Sequence, residues 1–323
     1  MVSSLVYRNS LFEARGVPSE SFASLLATPG VLLWVDLSDP SEQEIRFILE
    51  EVFKFHPLAI EDCVVDLPMP KVDDYGDYLF LVMHAVDYTR TEHFSTTEVD
   101  LFIGSNYLVT FHRKPLRPVQ AALDRHGRAG AAPVRGPDRL AHTLLDFLVE
   151  AYKPAITELE HDMELLIQDS LANIPAKKLF PRVADLRKEF SSLRQIVRPQ
   201  REVAVYLSQS KTRLIRTTML PYLRDLAEEL SRIEAQSESW AEELILAFRV
   251  YLNRSSFDAG MGIKVLTGIT ALTIPVLTIG AWFGMNFKHM HELQFSWSYP
   301  LVSVLMLSFT VGMYVFMRRR RWL

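Results

Sequence analysis

The stretch VLTGITALTIPVLTIGAWF, residues 265–283, holds 19 residues and no charge. At ~1.5 Å per residue a helix of that length spans about 28 Å, close to the hydrocarbon thickness of a bilayer. A second run of 19 uncharged residues, YPLVSVLMLSFTVGMYVFM, occupies 299–317. Buried helices of soluble proteins seldom run this long without a charge on some face. Trp282, Phe283, Trp297 and Tyr299 stand at the ends of the runs, where interfacial aromatic rings belong. Two C-terminal transmembrane helices are therefore expected.

Charge orients them. Arg318, Arg319, Arg320 and Arg321 follow the second run directly, whereas the segment 284–298 carries only Lys288 and Glu292. The positive-inside rule places the arginines in the cytoplasm and the connecting loop outside. Both termini are then cytoplasmic, in a multi-pass protein of the cell (inner) membrane. The N-terminus MVSSLVYRNSLFEARG lacks a basic segment followed by an apolar run, so no signal peptide is expected. The single cysteine, Cys63, excludes an internal disulfide and fits a reducing compartment.

The rest of the chain is of another character. The mean hydropathy of +0.07 averages two unlike parts. From residue 265 onward there are five basic residues and one acid; residues 1–264 hold 30 basic and 38 acidic residues, a net charge of −8. An acidic body disfavours nucleic acid as a partner and suits cations. With 49% hydrophobic residues the chain is not disordered. VLLWVDL at 31–37 reads as a buried strand. Ser41 with Glu44 forms a capping box at a helix start, and 78–86, 97–103 and 107–112 read as further strands, with Gly104-Ser105-Asn106 as a hairpin turn.

An α+β cytoplasmic domain is expected over 1–135 and a helical hairpin region over 136–212. A stalk helix entering the first transmembrane helix is expected over 213–283. The external loop is 284–298, the second transmembrane helix 299–317 and the basic tail 318–323. Apolar residues recur every three or four positions from Leu140 to Leu166, from Val183 to Val197 and from Leu220 to Tyr251. No proline lies between Pro221 and Pro275, so one helix can join the stalk to the membrane, with Gly260 and Gly262 as its weak points.

Phe283-Gly284-Met285-Asn286-Phe287 ends the first span, followed by Met290, Glu292-Leu293, Trp297, Tyr299-Pro300 and a closing Arg321-Trp322-Leu323. This arrangement resembles the CorA-type magnesium transporters, whose signature is the Gly-Met-Asn tripeptide. His56-Pro57-Leu58, Glu61-Asp62, Pro70-Lys71-Val72, Arg201-Glu202-Val203 and Pro221-Tyr222 resemble the family upstream. The resemblance implies a funnel-shaped homopentamer in the lipid bilayer, a selectivity filter at Gly284, Met285 and Asn286, and pore positions at Leu266 and Ile274. It also implies a regulatory Mg²⁺ site at Asp225, with Glu228 one turn on, and a carboxylate near Asp87. Departures are Phe283 for a tyrosine, His291 for a proline, Gly260 for an asparagine at the cytoplasmic pore mouth and Leu277 for a pore threonine.

The residue chemistry suits a hydrated divalent cation. Magnesium gives up its waters reluctantly, and the Asn286 carbonyl accepts hydrogen bonds from coordinated water without the tight grip of a carboxylate. Leu266, Thr270, Ile274, Leu277 and Ala281 share one helical face, mostly apolar, fit for a dewetting gate. Glu292 attracts cations to the outer loop. The expected function is membrane-potential-driven Mg²⁺ uptake gated by cytoplasmic Mg²⁺, with no organic cofactor. His289, Met290, His291 and Glu292 offer softer ligands, so Zn²⁺, Co²⁺ or Ni²⁺ is the alternative cargo. A membrane-anchored, non-conducting sensor or scaffold is a further alternative. An enzyme is not expected: no HExxH, GxSxG or P-loop pattern is present.

Overall fold

In the computed structural model the described residues are 1–65, 67, 69–87, 95–128, 130, 132–172, 174–285 and 296–320. They fall into two compact units, Met1–Leu246 and Ala247–Leu323.

The first unit is built on a mixed seven-stranded sheet. Its elements are β1 (Val2–Arg8), β2 (Leu11–Arg15), α1 (Phe22–Leu26), β3 (Val31–Ser38), α2 (Glu42–Ile45), α3 (Pro57–Val64), β4 (Lys71–Asp74), β5 (Leu79–Asp87), β6 (Ser95–Ile103) and β7 (Tyr107–His112). Helices α4 (Arg117–His126), α5 (Pro137–Glu150), α6 (Tyr152–Leu171) and α7 (Ala176–Gln209) follow. The spatial order is β2-β1-β3-β7-β6-β5-β4, and the β3–β7 pair is parallel while the others are antiparallel.

Alternation along the strands sends side chains to two cores. Leu33, Val35, Leu37, Phe80, Val82, Phe102, Val109 and Phe111 pack with Phe22, Ile48, Leu49, Phe55 and Ile60 of the α1–α3 layer. On the other face α5 lies against β5, β6 and β7, and α7 against β4 and β5. There the β3–β7 pair carries a short row of buried polar groups. Trp34 donates to the Thr110 hydroxyl at 3.2 Å, which donates to Asp36 at 2.5 Å, and His112 sits 3.3 Å from the same carboxylate. The capping box at Ser41 is present, with Ser41 N–H donating to Glu44 at 2.8 Å and Glu44 N–H to Ser41 Oγ at 3.3 Å. The helix it starts widens into a π-helical segment, Arg46–Val52. Gly104 is required at the β6–β7 turn, because a Cβ there would overlap the Tyr107 ring.

Helix α8 (Leu220–Phe283) is 64 residues long, about 96 Å. Its N-terminal part belongs to the first unit, where Leu223, Leu226, Leu230, Ile233, Trp240 and Leu244 are buried. Ser237 donates to the Phe190 carbonyl of α7 at 3.1 Å, Arg201 pairs with Glu234 at 3.1 Å, and the Trp240 and Phe190 rings lie 5.9 Å apart. Just before α8, Arg216 clamps buried Asp138 at the first turn of α5 with bonds of 2.5–3.0 Å. Gly260 and Gly262 do not interrupt the helix.

The second unit holds the rest of α8 and α9 (Ser298–Arg319). Both are long and apolar enough to cross a membrane, and only 6% of each apolar window is buried. Helices apolar all round and open to the surroundings need lipid or neighbouring helices to cover them. Pro275 lies inside α8 and removes the donor that the Ala271 carbonyl would meet.

Candidate ion pathway

The face of α8 that bears Leu266, Thr270 and Ile274 runs down the membrane-length segment at four-residue spacing. Leu266 is 64% and Ile274 54% exposed. Thr270 turns its hydroxyl proton back to the Leu266 carbonyl at 2.9 Å, leaving its oxygen lone pairs outward. Thr267, Thr273 and Thr278 bond the carbonyls four residues earlier in the same way, at 2.8, 3.0 and 2.8 Å. These internal bonds let an apolar helix carry hydroxyls without stranding a donor.

Helix α8 stops at the tripeptide. Gly284 N–H donates to the Gly280 carbonyl at 3.0 Å, and Met285 N–H reaches the Trp282 carbonyl at 3.4 Å. A Cβ on Gly284 would sit 3.2 Å from the Gly280 carbonyl oxygen, tighter than ordinary contact. The Met285 side chain is exposed. Asn286, the central residue of the expected filter, lies outside the described residues, as do His289, Met290, His291, Glu292 and Arg321.

Asp225 and Glu228 are exposed on α8, one turn apart and opposite the buried Leu223, Leu226 and Leu230. The charge of Asp225 acts on His142 of α5. Burial holds that imidazole below its usual value, and the charges of Asp146 and Asp225 draw it part of the way back. Among the described residues no group of three or more His, Cys, Asp or Glu is placed to hold a metal ion. Asp225 and Glu228 thus lie one helical turn apart with no such third ligand among the described residues. Asp87 is the last residue of β5.

One polar cluster escaped the sequence reading. Glu98 and Asp100 occupy alternate positions of β6 and so share a face of the sheet. Two acids at period-two spacing in an apolar strand were the available signal.

The sequence pattern of the family described as "CorA-like Mg2+ transporter protein" matches residues 29–319. The chain belongs to this family. A "Cobalt/magnesium transport protein CorA" of Thermotoga maritima is 28% identical over 90% of the chain and 83% of its own length. A "Putative metal ion transporter YfjQ" of Bacillus subtilis is 31% identical, covering 90% and 89%. Among solved structures, the CorA magnesium transporter of Methanocaldococcus jannaschii superposes with a TM-score of 0.79 at 19% identity, covering 99% of the chain and 98% of that one. The full-length CmaX protein gives 0.80 at 16%, covering 100% and 98%. This CorA-like chain thus has the family's α+β domain, long helix and C-terminal apolar helices, as the sequence led one to expect, and it belongs to a family of metal-ion transporters.

Proposed function

We propose that the chain mediates Mg²⁺ uptake through a homopentameric pore of the inner membrane, with both termini cytoplasmic. The observation that carries this reading is the 64-residue helix α8, which runs unbroken from the first unit to the residue before Gly284. In this arrangement Gly284, Met285 and Asn286 form the filter at the outer end, and fivefold repetition gives a ring of carbonyl acceptors for coordinated waters. Leu266, Thr270 and Ile274 line the pore, and the Leu266 and Ile274 rings close it by dewetting. Glu292 concentrates cations at the mouth. A divalent ion gains about 4.6 kcal/mol crossing 100 mV, twice the single-charge value, so an inside-negative potential drives entry without ATP.

Asp225 and Glu228 are proposed to hold regulatory Mg²⁺ with ligands of the adjacent subunit. Neutralised, they let the stalks approach and shut the pore; without the ion they repel. The names of the relatives support magnesium and also admit cobalt, since the Thermotoga maritima relative is a cobalt/magnesium transport protein. His289 and His291 keep Co²⁺, Zn²⁺ and Ni²⁺ as the second reading.

The test is uptake in a transport-deficient cell and in liposomes, with Mg²⁺, Co²⁺ and Zn²⁺ in parallel. Asn286→Ala is expected to abolish rescue by Mg²⁺. Asp225→Ala is expected to keep flux and weaken inhibition by internal Mg²⁺. Flux indifferent to Asn286→Ala removes the filter, and a pentamer with no flux returns the scaffold.

A further inference from the structure

On the α3 side of the sheet, β5, β6 and β7 border a cavity of about 140 Å³. One ordered water needs only ~10–15 Å³ by such a measure, so the space is large enough for a small organic molecule. Asp100 forms its floor at 1% exposure, with Glu98 on the same strand face and Cys63 of α3 beside it. Asp100 Oδ1 lies in this wall with no hydrogen-bond partner, an arrangement native interiors rarely tolerate without a ligand or water. Thr96 and His84 form one side, joined to each other at 3.1 Å, and Phe111 and Leu67 form apolar walls.

The rim has the opposite charge. Half-exposed Arg113 and exposed Lys114 border the same cavity. One Arg113 N–H donates to the Val64 carbonyl at 2.6 Å, which leaves the guanidinium four more donors. A divalent ion does not match this lining, because no trio of metal-ligating side chains forms among the described residues. A simple anion is repelled by the floor, and a simple cation by the rim.

We propose that this cavity binds a small zwitterion, with its ammonium group on Asp100 and Glu98 and its acidic group on Arg113 and Lys114. A free α-amino acid with a short side chain is the simplest such molecule. The ammonium fills the unpartnered Asp100 acceptor and finds the Thr96 hydroxyl within the same lining. The site is built on fixed elements. The main chain of His84, in the wall, accepts from the Tyr152 hydroxyl at 3.1 Å and donates to Gln200 Oε1 at 3.5 Å, and Gln200 in turn donates to that hydroxyl. Strand β5 is thereby tied to α6 and α7 before any ligand arrives, which lowers the ordering cost of binding.

Binding is linked to a proton. In the empty cavity, burial first and the Glu98 charge second keep the Asp100 carboxyl protonated well above the usual carboxylate range. An ammonium ion in contact favours the carboxylate, so the ligand displaces that proton into solvent.

The experiment is calorimetric titration of the detergent-purified full-length protein in two buffers of different ionisation heat. The probes are glycine, alanine and serine, with ethylammonium and acetate as half-molecules. The zwitterions are expected to bind with proton release, and each half-molecule at least about tenfold more weakly. Asp100→Asn and Arg113→Gln are each expected to weaken binding about ten- to a hundredfold, the worth of a charge-assisted hydrogen bond. Thermal melts establish that each variant is folded; asparagine has the shape of the protonated acid it replaces. No heat from any zwitterion overturns the proposal. So does ethylammonium binding as tightly as alanine, or a folded Asp100→Asn variant with wild-type affinity. Wild-type Mg²⁺ flux alongside any of these results leaves the transport reading untouched.

Discussion

Asp100 presses against Glu98 and the Cys63 thiol with almost no access to water, and burial raises its carboxyl well above the ordinary range. Its contribution to stability has a definite sign. In the unfolded chain the group ionises near pH ~3.9; in the fold it holds its proton to higher pH. Stability from this group is therefore full below the unfolded value and falls as pH rises toward the folded value. Asp100→Asn removes the ionisation. The variant is expected to melt above the parent at pH 8, with the difference shrinking toward pH 4, as followed by thermal melts of the two proteins across that range. A constant difference at all pH values would show that the carboxyl ionises in the fold as it does in the unfolded chain. At this scale Ser41 and Glu44 were readable, because a capping box is a contact between neighbours in sequence. The Asp100 environment was not, since it is closed by Cys63 of α3, a segment remote from β6 along the chain.

Among the elements, α8 is the most legible, because burial and sequence share one period. Leu223, Leu226, Leu230, Ile233, Trp240 and Leu244 face inward as their spacing dictates. Strands β3, β5, β6 and β7 were also evident as apolar runs. Strands β1, β2 and β4 were not. β4 reads KVDD, a short charged edge strand bonded only to β5, and β2 is an edge strand with alternate positions exposed. Nor does any local signal reveal that β3 lies parallel to β7, since that pairing joins segments far apart in the chain. The π-helical segment after α2, which buries Ile48 and Leu49, likewise has no signal among the patterns read from the sequence. The contact of α8 with α7 gives the element-scale prediction. Trp240 is buried against Phe190, beside the Ser237 bond to the Phe190 carbonyl. Trp240→Ala deletes a large buried ring and is expected to cost about 3–5 kcal/mol. Denaturant unfolding of the variant checks this, and a loss under 1 kcal/mol would mean that the stalk is held chiefly by its ion pairs.

Across the whole molecule, charge and apolar surface are segregated along the chain. The net −8 of residues 1–264 is set against a C-terminal part with five basic residues and one acid. The proposed topology places the arginines after α9 and the acidic body on one side of the membrane, and the segment between α8 and α9 on the other. The lone cysteine makes this directly measurable. Cys63 is 1% exposed, and burial with the neighbouring carboxylates raises its thiol far above the usual value, so the reactive thiolate is scarce. Introduced cysteines are thus read against a silent background. Ser296 and Arg320 stand at opposite ends of α9, one just before and one just after its 22 residues. A membrane-impermeant maleimide added to intact cells is expected to label Ser296→Cys and to reach Arg320→Cys only after permeabilisation. The reverse pattern would invert the chain in the membrane. Labelling of both in intact cells would mean that α9 does not cross the membrane, and the pore reading of α8 would fall with it.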